Sequence, residues 1–401
     1  MRILQLAPRV PFPEDDGGKI GIANITKELA NLGAEVTLIF FYENDNDLNI
    51  PDYAYKYAKI IPIKHSTSNS IPRIIKSTFT SRSIYIDKHN SKNVKNFINH
   101  HLIDYKYDII HCDHTAMADL GLYCQQILKC PIGLRLHNIE WTIWKRYSDI
   151  LLQTDPRYYY VSKQAKLLKK YESDIIGKMD INFAITAQDL SLALKMNSTA
   201  NVIISTAGVN LNEWKPDHNI KKNPDELIHA TIYKWKHNLN AIYWFLEEVM
   251  PIINQNNPYI RLKLLGKDAP NSLKNYSKNV DFIGYVDKVQ PYLNSAGIYI
   301  APLFVGGGIR IKILEAMSME LPIVASEIAA EGIQATENDG LFIAKNKKEF
   351  ADLVLKLNRD NHLRNEAGKA ARKFIERNHT WYKNVKIIYD NYSELIKKQK
   401  K

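Results

Sequence analysis

"GGGIRIKILEAMSMELPIVAS", Gly306 to Ser326, is the stretch on which the reading of the chain turns. Three glycines lead into two cations, Arg310 and Lys312. Apolar residues follow with one acid among them, Glu315, and then a proline and the short apolar run "IVAS". Glycines let backbone amides approach an anion, and a helix start carries a positive partial charge. Guanidinium and ammonium groups are the usual partners of a diphosphate. A carboxylate further along the helix can accept a hydrogen bond from each of two neighbouring ribose hydroxyls. The pattern predicts a glycine loop, a helix and a strand, with a nucleotide lying across the helix start. The competing reading is a simple ion pair between Lys312 and Glu315, one turn apart, worth roughly a few tenths of a kcal/mol.

Working outward, the same alternation fills the chain. "RILQLA" reads as a first strand and "PRVPFPEDDGGK" as a loop. Ile22, Ile25, Leu29 and Leu32 recur at helical spacing until Gly33. "AEVTLIFFY", "YDIIHC" and "PIGLRLHN" read as further strands. A strand and a Gly, Asn and Pro loop at "NVIISTAGVNLNEWKP" mark a hinge. Beyond it "LIHATIY", "YIRLKLLG", "VDFIGYV", "AGIYIAP" and "LPIVAS" read as strands, with an amphipathic helix over "NLNAIYWFLEEVMPII". Strands alternating with helices imply parallel sheets covered on both faces. The division expected is 1–206, 207–379 and a last helix, 380–401, that packs back on the first domain.

Parallel α/β sheets bind ligands at the carboxyl ends of their strands. The chemical candidates cluster there: Gly17 and Gly18 after the first strand; His111, Asp113 and His114 after "YDIIHC"; His137, Asn138 and Glu140 after "LRL"; and Gly306 to Lys312 after "AGIYIAPL". Two such edges facing each other would form an interdomain cleft. "DND" at Asp45 to Asp47 reads as a loop and is assigned no metal.

Composition sets the bounds. The chain has 401 residues, too many for one ordinary core. Its hydrophobic share of 45% and charged share of 24% are those of a globular protein. No apolar run is long enough to cross a bilayer, and "MRILQLAPRV" lacks the pattern of a signal peptide. The cysteines Cys112, Cys124 and Cys130 have no zinc spacing, which suits a reducing cytoplasm. The formal net charge of +11 fits an anionic substrate, a membrane surface, a nucleic acid or simply a solvated lysine-rich face. The basic, apolar-interleaved segment "IPRIIKSTFTSRSIY" reads as a surface for anionic lipid or acceptor, or as a solvated helix.

The segment from Val280 to Gly332, "VDFIGYVDKVQPYLNSAGIYIAP" followed by "GGGIRIKILEAMSMELPIVAS", resembles the donor-binding half of the retaining glycosyltransferase family 4, the glycosyl transferases group 1. "GGKIGIANITKELANLGAEVTLI" and "LRLHNIE" are similar to its first half. The resemblance implies the α/β fold called GT-B: two Rossmann-like domains whose parallel sheets face an interdomain cleft. It implies Glu315 on the donor ribose, Gly17 and Gly18 near the donor diphosphate, and the nucleobase against the backbone around Ile283 and Tyr285. It places His137 at the donor sugar beside the bond being broken, with a residue of the His111–His114 loop, His111 or Asp113 among them, as a further catalytic candidate. Two positions depart from the family pattern. Gly307 stands where many members carry an acid, eight residues before Glu315. Thr231 stands where glycine is common in "ATIYKWKHN", so the usual phosphate cations are absent or moved. Arg310 and Lys312, with the loop amides at Gly307 and Gly308, are the natural substitutes.

The function expected is a retaining, metal-independent hexosyltransferase of surface polysaccharide or glycolipid synthesis. It would use a nucleoside-diphosphate sugar as donor substrate, a glycan or lipid-linked acceptor and no cofactor. It would be cytoplasmic, with an anionic membrane surface as a further partner. The alternatives are a GT-B sugar-nucleotide epimerase, against which "LEAM" argues, and a basic nucleic-acid-binding protein, for which no recognition module is present.

Overall fold

The computed structural model describes residues 1–102, 105–276, 278–305 and 307–399. The chain divides into two compact units, residues 1–206 with 381–401, and residues 207–380.

The first unit runs β1 (Arg2–Ala7), α1 (Gly17–Asn31), β2 (Glu35–Tyr42), β3 (Ala58–Lys64), α2 (Ile71–Phe79), α3 (Ile84–Asp87), α4 (Lys92–Leu102), β4 (Ile109–Asp113), α5 (Ala118–Leu128), β5 (Ile132–Leu136), α6 (Glu140–Asp149), α7 (Pro156–Lys178), β6 (Ile181–Ala184), α8 (Ala187–Met196) and β7 (Val202–Ile204). Its seven strands are parallel in the order β3-β2-β1-β4-β5-β6-β7. The central strands are buried on both faces, so they read as continuous apolar runs. Leu4, Leu6, Ile110, Ile132 and Leu134 form the core under α4, α5 and α7.

The second unit runs β8 (Asn223–Ala230), α9 (Lys236–Trp244), α10 (Met250–Asn256), β9 (Arg261–Leu265), β10 (Val280–Gly284), α11 (Gln290–Ser295), β11 (Ala296–Ala301), α12 (Ile311–Ser318), β12 (Ile323–Ser326), α13 (Glu327–Ala330), β13 (Leu341–Ala344), α14 (Lys347–Arg359) and α15 (Asn361–Asn378). Its six parallel strands lie in the order β10-β9-β8-β11-β12-β13. The helix expected over "NLNAIYWFLEEVMPII" is continuous but wider in its middle: α9 passes through a π-turn, Phe245–Val249, into α10. The core gathers Ile242, Phe245, Val249, Leu262, Ile298 and Phe350. The strand read as "LIHATIY" stops at Ala230, because residues beyond it turn toward α9.

The last helix, α16 (Trp381–Gln399), belongs to the first unit and packs on α1. Its Tyr392 is fully buried. A Cβ at position 133 would stand 2.4 Å from the Tyr392 hydroxyl oxygen, so Gly133 on β5 is what lets this helix lie on the sheet.

In each sheet the strand order reverses once, between β1 and β4 in the first unit and between β8 and β11 in the second. At such a switch point the connections leave in opposite directions and open a crevice at the carboxyl ends of the strands.

Candidate functional site

The first unit builds its crevice from β1, β4 and β5. Asp113 ends β4 and lies in register with Arg135 on β5. The Asp113 carboxylate is fully buried; His137 Nε2 stands 2.5 Å from one oxygen, and the Gln5 side-chain amide donates to the other at 3.1 Å. Gln5 in turn accepts from the Thr26 hydroxyl of α1 at 2.8 Å. Burial alone would raise the Asp113 carboxyl, but His137, His111 and Arg135 outweigh it and hold it well below the usual carboxylate range. His137 Nε2 also lies 2.7 Å from Arg135 Nη1. One nitrogen cannot donate to Asp113 and accept from Arg135 at once. Beside an ionised carboxylate the proton belongs on Nε2, which leaves Nδ1 as the ring's acceptor. Burial, then Arg135, pushes His137 down, so the ring is neutral near pH 7.

His114 follows with φ 123°, a backbone conformation that costs a non-glycine residue of order 1–3 kcal/mol and clusters at functional sites. Its ring centroid is 4.8 Å from that of His137, Nδ1 lies 2.7 Å from the Tyr85 hydroxyl, and Nε2 lies 3.7 Å from Glu140. Burial, then His137, keeps it well below the usual imidazole range. Glu140 opens α6 and is pushed up to about 7 by burial. Beneath it Glu172 accepts both the Glu140 and Trp141 amides at 2.9 Å, and burial with the nearby Glu140 pushes it up to about 8.

Three expected site residues, His111, Gly17 and Gly18, change role. His111 is fully buried, with Nδ1 2.6 Å from the Tyr392 hydroxyl, so it faces the inside of the unit and leaves the catalytic set. Alternation along β4 explains it: His111 and Asp113 share a face, but only Asp113 reaches the strand end. Gly17 and Gly18 do open α1, but the Asp16 carboxylate already accepts the amides of Gly18 at 2.9 Å and Lys19 at 3.0 Å. Arg9 grips the same carboxylate, and a Cβ at position 18 would meet its guanidinium at 2.2 Å. Gly18 therefore makes room for an arginine beside the Asp16 carboxylate. Arg9, Arg135, Gln5 and Tyr85 were missed from sequence. Arg135 was legible, since it stands two residues before His137 on the same strand face.

The second unit builds its crevice from the ends of β8, β10 and β11. Gly306 lies outside the described residues. Gly307 and Gly308 are half-buried, Gly308 with φ 69° in the left-handed region that favours glycine. Arg310 is the N-cap residue of α12 and donates through Nη1 to the Gly307 carbonyl. Glu315 is 4% exposed, and Lys312 Nζ lies 2.9 Å from its carboxylate. Burial raises the Glu315 carboxyl while Lys312 opposes the shift. The ion pair foreseen as the competing reading is therefore present, and it fixes the carboxylate on α12. The Lys312 ammonium also lies 5.7 Å from the Trp214 ring centroid. His237, at the start of α9, is pushed down by burial and then by Arg310. Lys234 and Lys236 are exposed beside it. Ile283, on β10, is half-buried; Tyr285 just after it is exposed, with Lys267 Nζ 4.8 Å from its ring centroid. Among the described residues no group of three or more His, Cys, Asp or Glu side chains is placed to hold a metal ion, the Asp45–Asp47 segment included.

Residues 227–360, inside this unit, match the family model described as glycosyl transferases group 1. The match lies wholly within the second unit, where the sequence is similar to a group 1 glycosyltransferase domain. Over the whole length it is 22% identical to an "uncharacterized 44.6 kDa protein in cps region" of Klebsiella pneumoniae, covering 98% of this chain and 99% of that protein. Among solved structures it is similar to sucrose-phosphate synthase from Thermosynechococcus elongatus, with TM-score 0.74, 14% identity and coverage of 98% and 99% of the two chains. It is also similar to Anabaena HepE in complex with UDP and glucose, with TM-score 0.66, 12% identity and coverage of 98% and 99%. At these identities the structural likeness shows the fold, the two-sheet GT-B glycosyltransferase architecture.

Proposed function

We propose that the chain is a retaining hexosyltransferase that uses a nucleoside-diphosphate sugar and a glycan or lipid-linked acceptor in the assembly of a surface polysaccharide. The observation that carries this reading is the buried Glu315 carboxylate on α12, held by Lys312 behind a glycine loop and Arg310. In it the second unit binds the donor, with Glu315 on the ribose and Arg310 and Lys312 on the diphosphate. The first unit supplies His137, oriented by Asp113, to a hydroxyl of the donor sugar. The bond from the anomeric carbon to the phosphate oxygen breaks, and the acceptor oxygen bonds to that carbon on the same face. The acceptor proton leaves with the phosphate. Two cations at a developing phosphate dianion stabilise it where a metal ion otherwise would. The UDP and glucose in the HepE structure and the cps setting of the Klebsiella protein support the donor and pathway classes.

The membrane part of the reading rests on α2. Ile71, Ile75 and Phe79 recur every four residues on it and are 73%, 56% and 87% exposed, with Arg73, Lys76 and Arg82 around them. No helix among the described residues is long and apolar enough to cross a membrane, so contact through α2 would be interfacial.

The test is a screen of sugar nucleotides by thermal shift, followed by NMR of the product from the best donor with and without EDTA. Retained anomeric configuration and activity in chelator are expected. An inverted product overturns the retaining assignment, and loss of activity restored by manganese overturns metal independence. Sedimentation with anionic vesicles should fall as salt rises and be absent with neutral ones. No sedimentation with either removes the membrane surface.

A further inference from the structure

The donor groups sit at the carboxyl edge of the second sheet. At the opposite edge, below the amino ends of β8, β11 and β12, lies a separate cavity of about 550 Å³. It is reached from the residues just before those strands, Lys222, Asn294 and Glu320, and walled by α15 and the loop from Pro216 to Lys221. Its charge is one-sided: Lys221, Lys222, Arg364 and Lys369 line it with His218, against the carboxylates of Asp217 and Glu320.

The carboxyl ends of three helices come close to this cavity, and bare carbonyls there would repel an anion. Two cations cover them. Lys222 Nζ donates to Leu293 O of α11 at 3.4 Å and to Met319 O at the end of α12 at 3.1 Å. Arg364 Nη1 donates to Leu357 O and Asn358 O of α14 at 2.8 and 3.0 Å. Lys222 then has positive charge left over, while Arg364 also donates through Nη2 to the Asn361 side chain and feels Asp225 and Asp360 from further away. Lys222 has no carboxylate within bonding distance among the described residues, only Glu320 acting on it from further away, and burial pushes it down to about 8. Arg364, 5% exposed, keeps Nε buried without a hydrogen-bond partner. Lys221 is exposed at the mouth, and Lys369 pairs with Glu366 on the surface of its own helix, with Glu320 acting on it from further away. A partly desolvated cluster of this kind gains most from an anion compact enough to enter, and lysine ammonium groups suit phosphate as point charges. The volume is that of a small-molecule site.

We infer that this rear cavity is a second binding site, for a small phosphate-bearing anion, distinct from the donor site and in contact with the far end of the donor helix α12 through Lys222. Only its being a second site rests on the donor reading; the cavity and its cations do not.

Pyrophosphate is the probe, titrated calorimetrically at low salt into the full chain, into Lys221→Glu/Lys369→Glu, and into Arg310→Ala/Lys312→Ala. Two sites are expected in the unmodified chain. The rear variant should lose one of them by more than about tenfold in affinity, and the front variant should lose the other. Lys221 and Lys369 are exposed, so the rear variant should fold, which a thermal melt checks. A rear variant that keeps every pyrophosphate affinity overturns the inference, as does a chain that binds no pyrophosphate. A single site lost only in the rear variant supports it and removes the donor clamp instead. Sedimentation with phosphatidylglycerol vesicles should be the same for the rear variant as for the unmodified chain. A loss there reassigns the cavity to a lipid headgroup and overturns the small-anion assignment.

Discussion

The two crevices are built on opposite plans. In the first unit the polar groups are largely bonded to one another: Asp113 to His137 and Gln5, Gln5 to Thr26, and His114 to Tyr85, with Asp113, Gln5 and Thr26 fully buried. In the second the same kinds of charge are provisional. Lys312, still 40% exposed along its side chain, leans on Glu315, and Arg310 folds onto its own loop carbonyl. A group that must hold a fixed proton through the reaction is best fixed in advance. Groups that grip an incoming diphosphate and ribose must be able to exchange a protein partner for a ligand. On the proposed reading, the difference suits the first unit to positioning and the second to binding.

Removing the ring from the prebuilt side should have the largest effect. His137→Ala is expected to lower turnover by roughly 10²–10⁴-fold with donor affinity little changed, as for loss of a positioned catalytic side chain. Asp113→Asn should reproduce much of the loss without emptying the site, because an amide can no longer fix the proton on Nε2. Steady-state kinetics beside a donor titration decide it. A rise in donor dissociation constant as large as the fall in turnover would put His137 in binding and erase the contrast.

On the provisional side, Arg310→Ala should lower turnover by roughly ten- to a thousandfold, equivalent to about 1.4–4 kcal/mol of transition-state stabilisation. The free nucleoside should still bind nearly normally while the nucleoside diphosphate binds poorly. If diphosphate affinity is untouched, Lys234, Lys236 or Arg9 becomes the clamp.

How much of this was legible follows from what each residue needs. The Glu315 helix could be read directly, because loop, cations and acid are contiguous in sequence. So could most strands: doubly covered parallel strands are unbroken apolar runs. Three escaped. β3 carries Pro62 and lies at the sheet edge, where a missing amide is tolerated. β6 and β13 are four residues each, too short for a periodic signal. The His137 environment was half visible. Its partner Asp113 was named, but Gln5, Tyr85 and Arg9 come from separate segments that only the strand order brings together. His111 misled because a strand-end histidine and a buried one look alike until Tyr392 arrives from α16, some 280 residues later.

Glu315→Gln tests the binding side more gently. Loss of a charge-assisted acceptor should weaken the donor by about 1.5–3 kcal/mol, roughly ten- to 150-fold, with the fold intact. Lys312→Ala carries a signed companion effect. Without the ammonium, burial raises the Glu315 carboxyl further, so more of it is protonated near neutrality and donor affinity should recover as pH rises. Calorimetric titration across pH checks this. An affinity flat with pH in Lys312→Ala would mean that Glu315 does not need to be ionised.

The smallest effect concerns stability beneath the prebuilt crevice. Glu172 is fully buried under the α6 start, and its folded-state carboxyl is raised to about 8 by burial and by Glu140, itself raised to about 7. A group whose folded value is raised contributes stability that is fully present below the unfolded value, about 4.3, and is lost as pH rises through the folded one. The first unit should therefore lose stability progressively between about pH 4 and 8, where the unfolded chain is ionised and these two buried acids are not, and change little above that. Glu172→Gln keeps an acceptor for the Glu140 and Trp141 amides while removing one of the charges. It should cost little at about pH 4 and flatten the decline between there and about pH 8. Because two units need not melt together, the measurement is amide hydrogen exchange of the α6 and α7 peptides at matched intrinsic rates. A decline as steep in the variant as in the unmodified chain would show that these acids take their charges without strain, and that the first crevice is less closed to water than its hydrogen bonds imply.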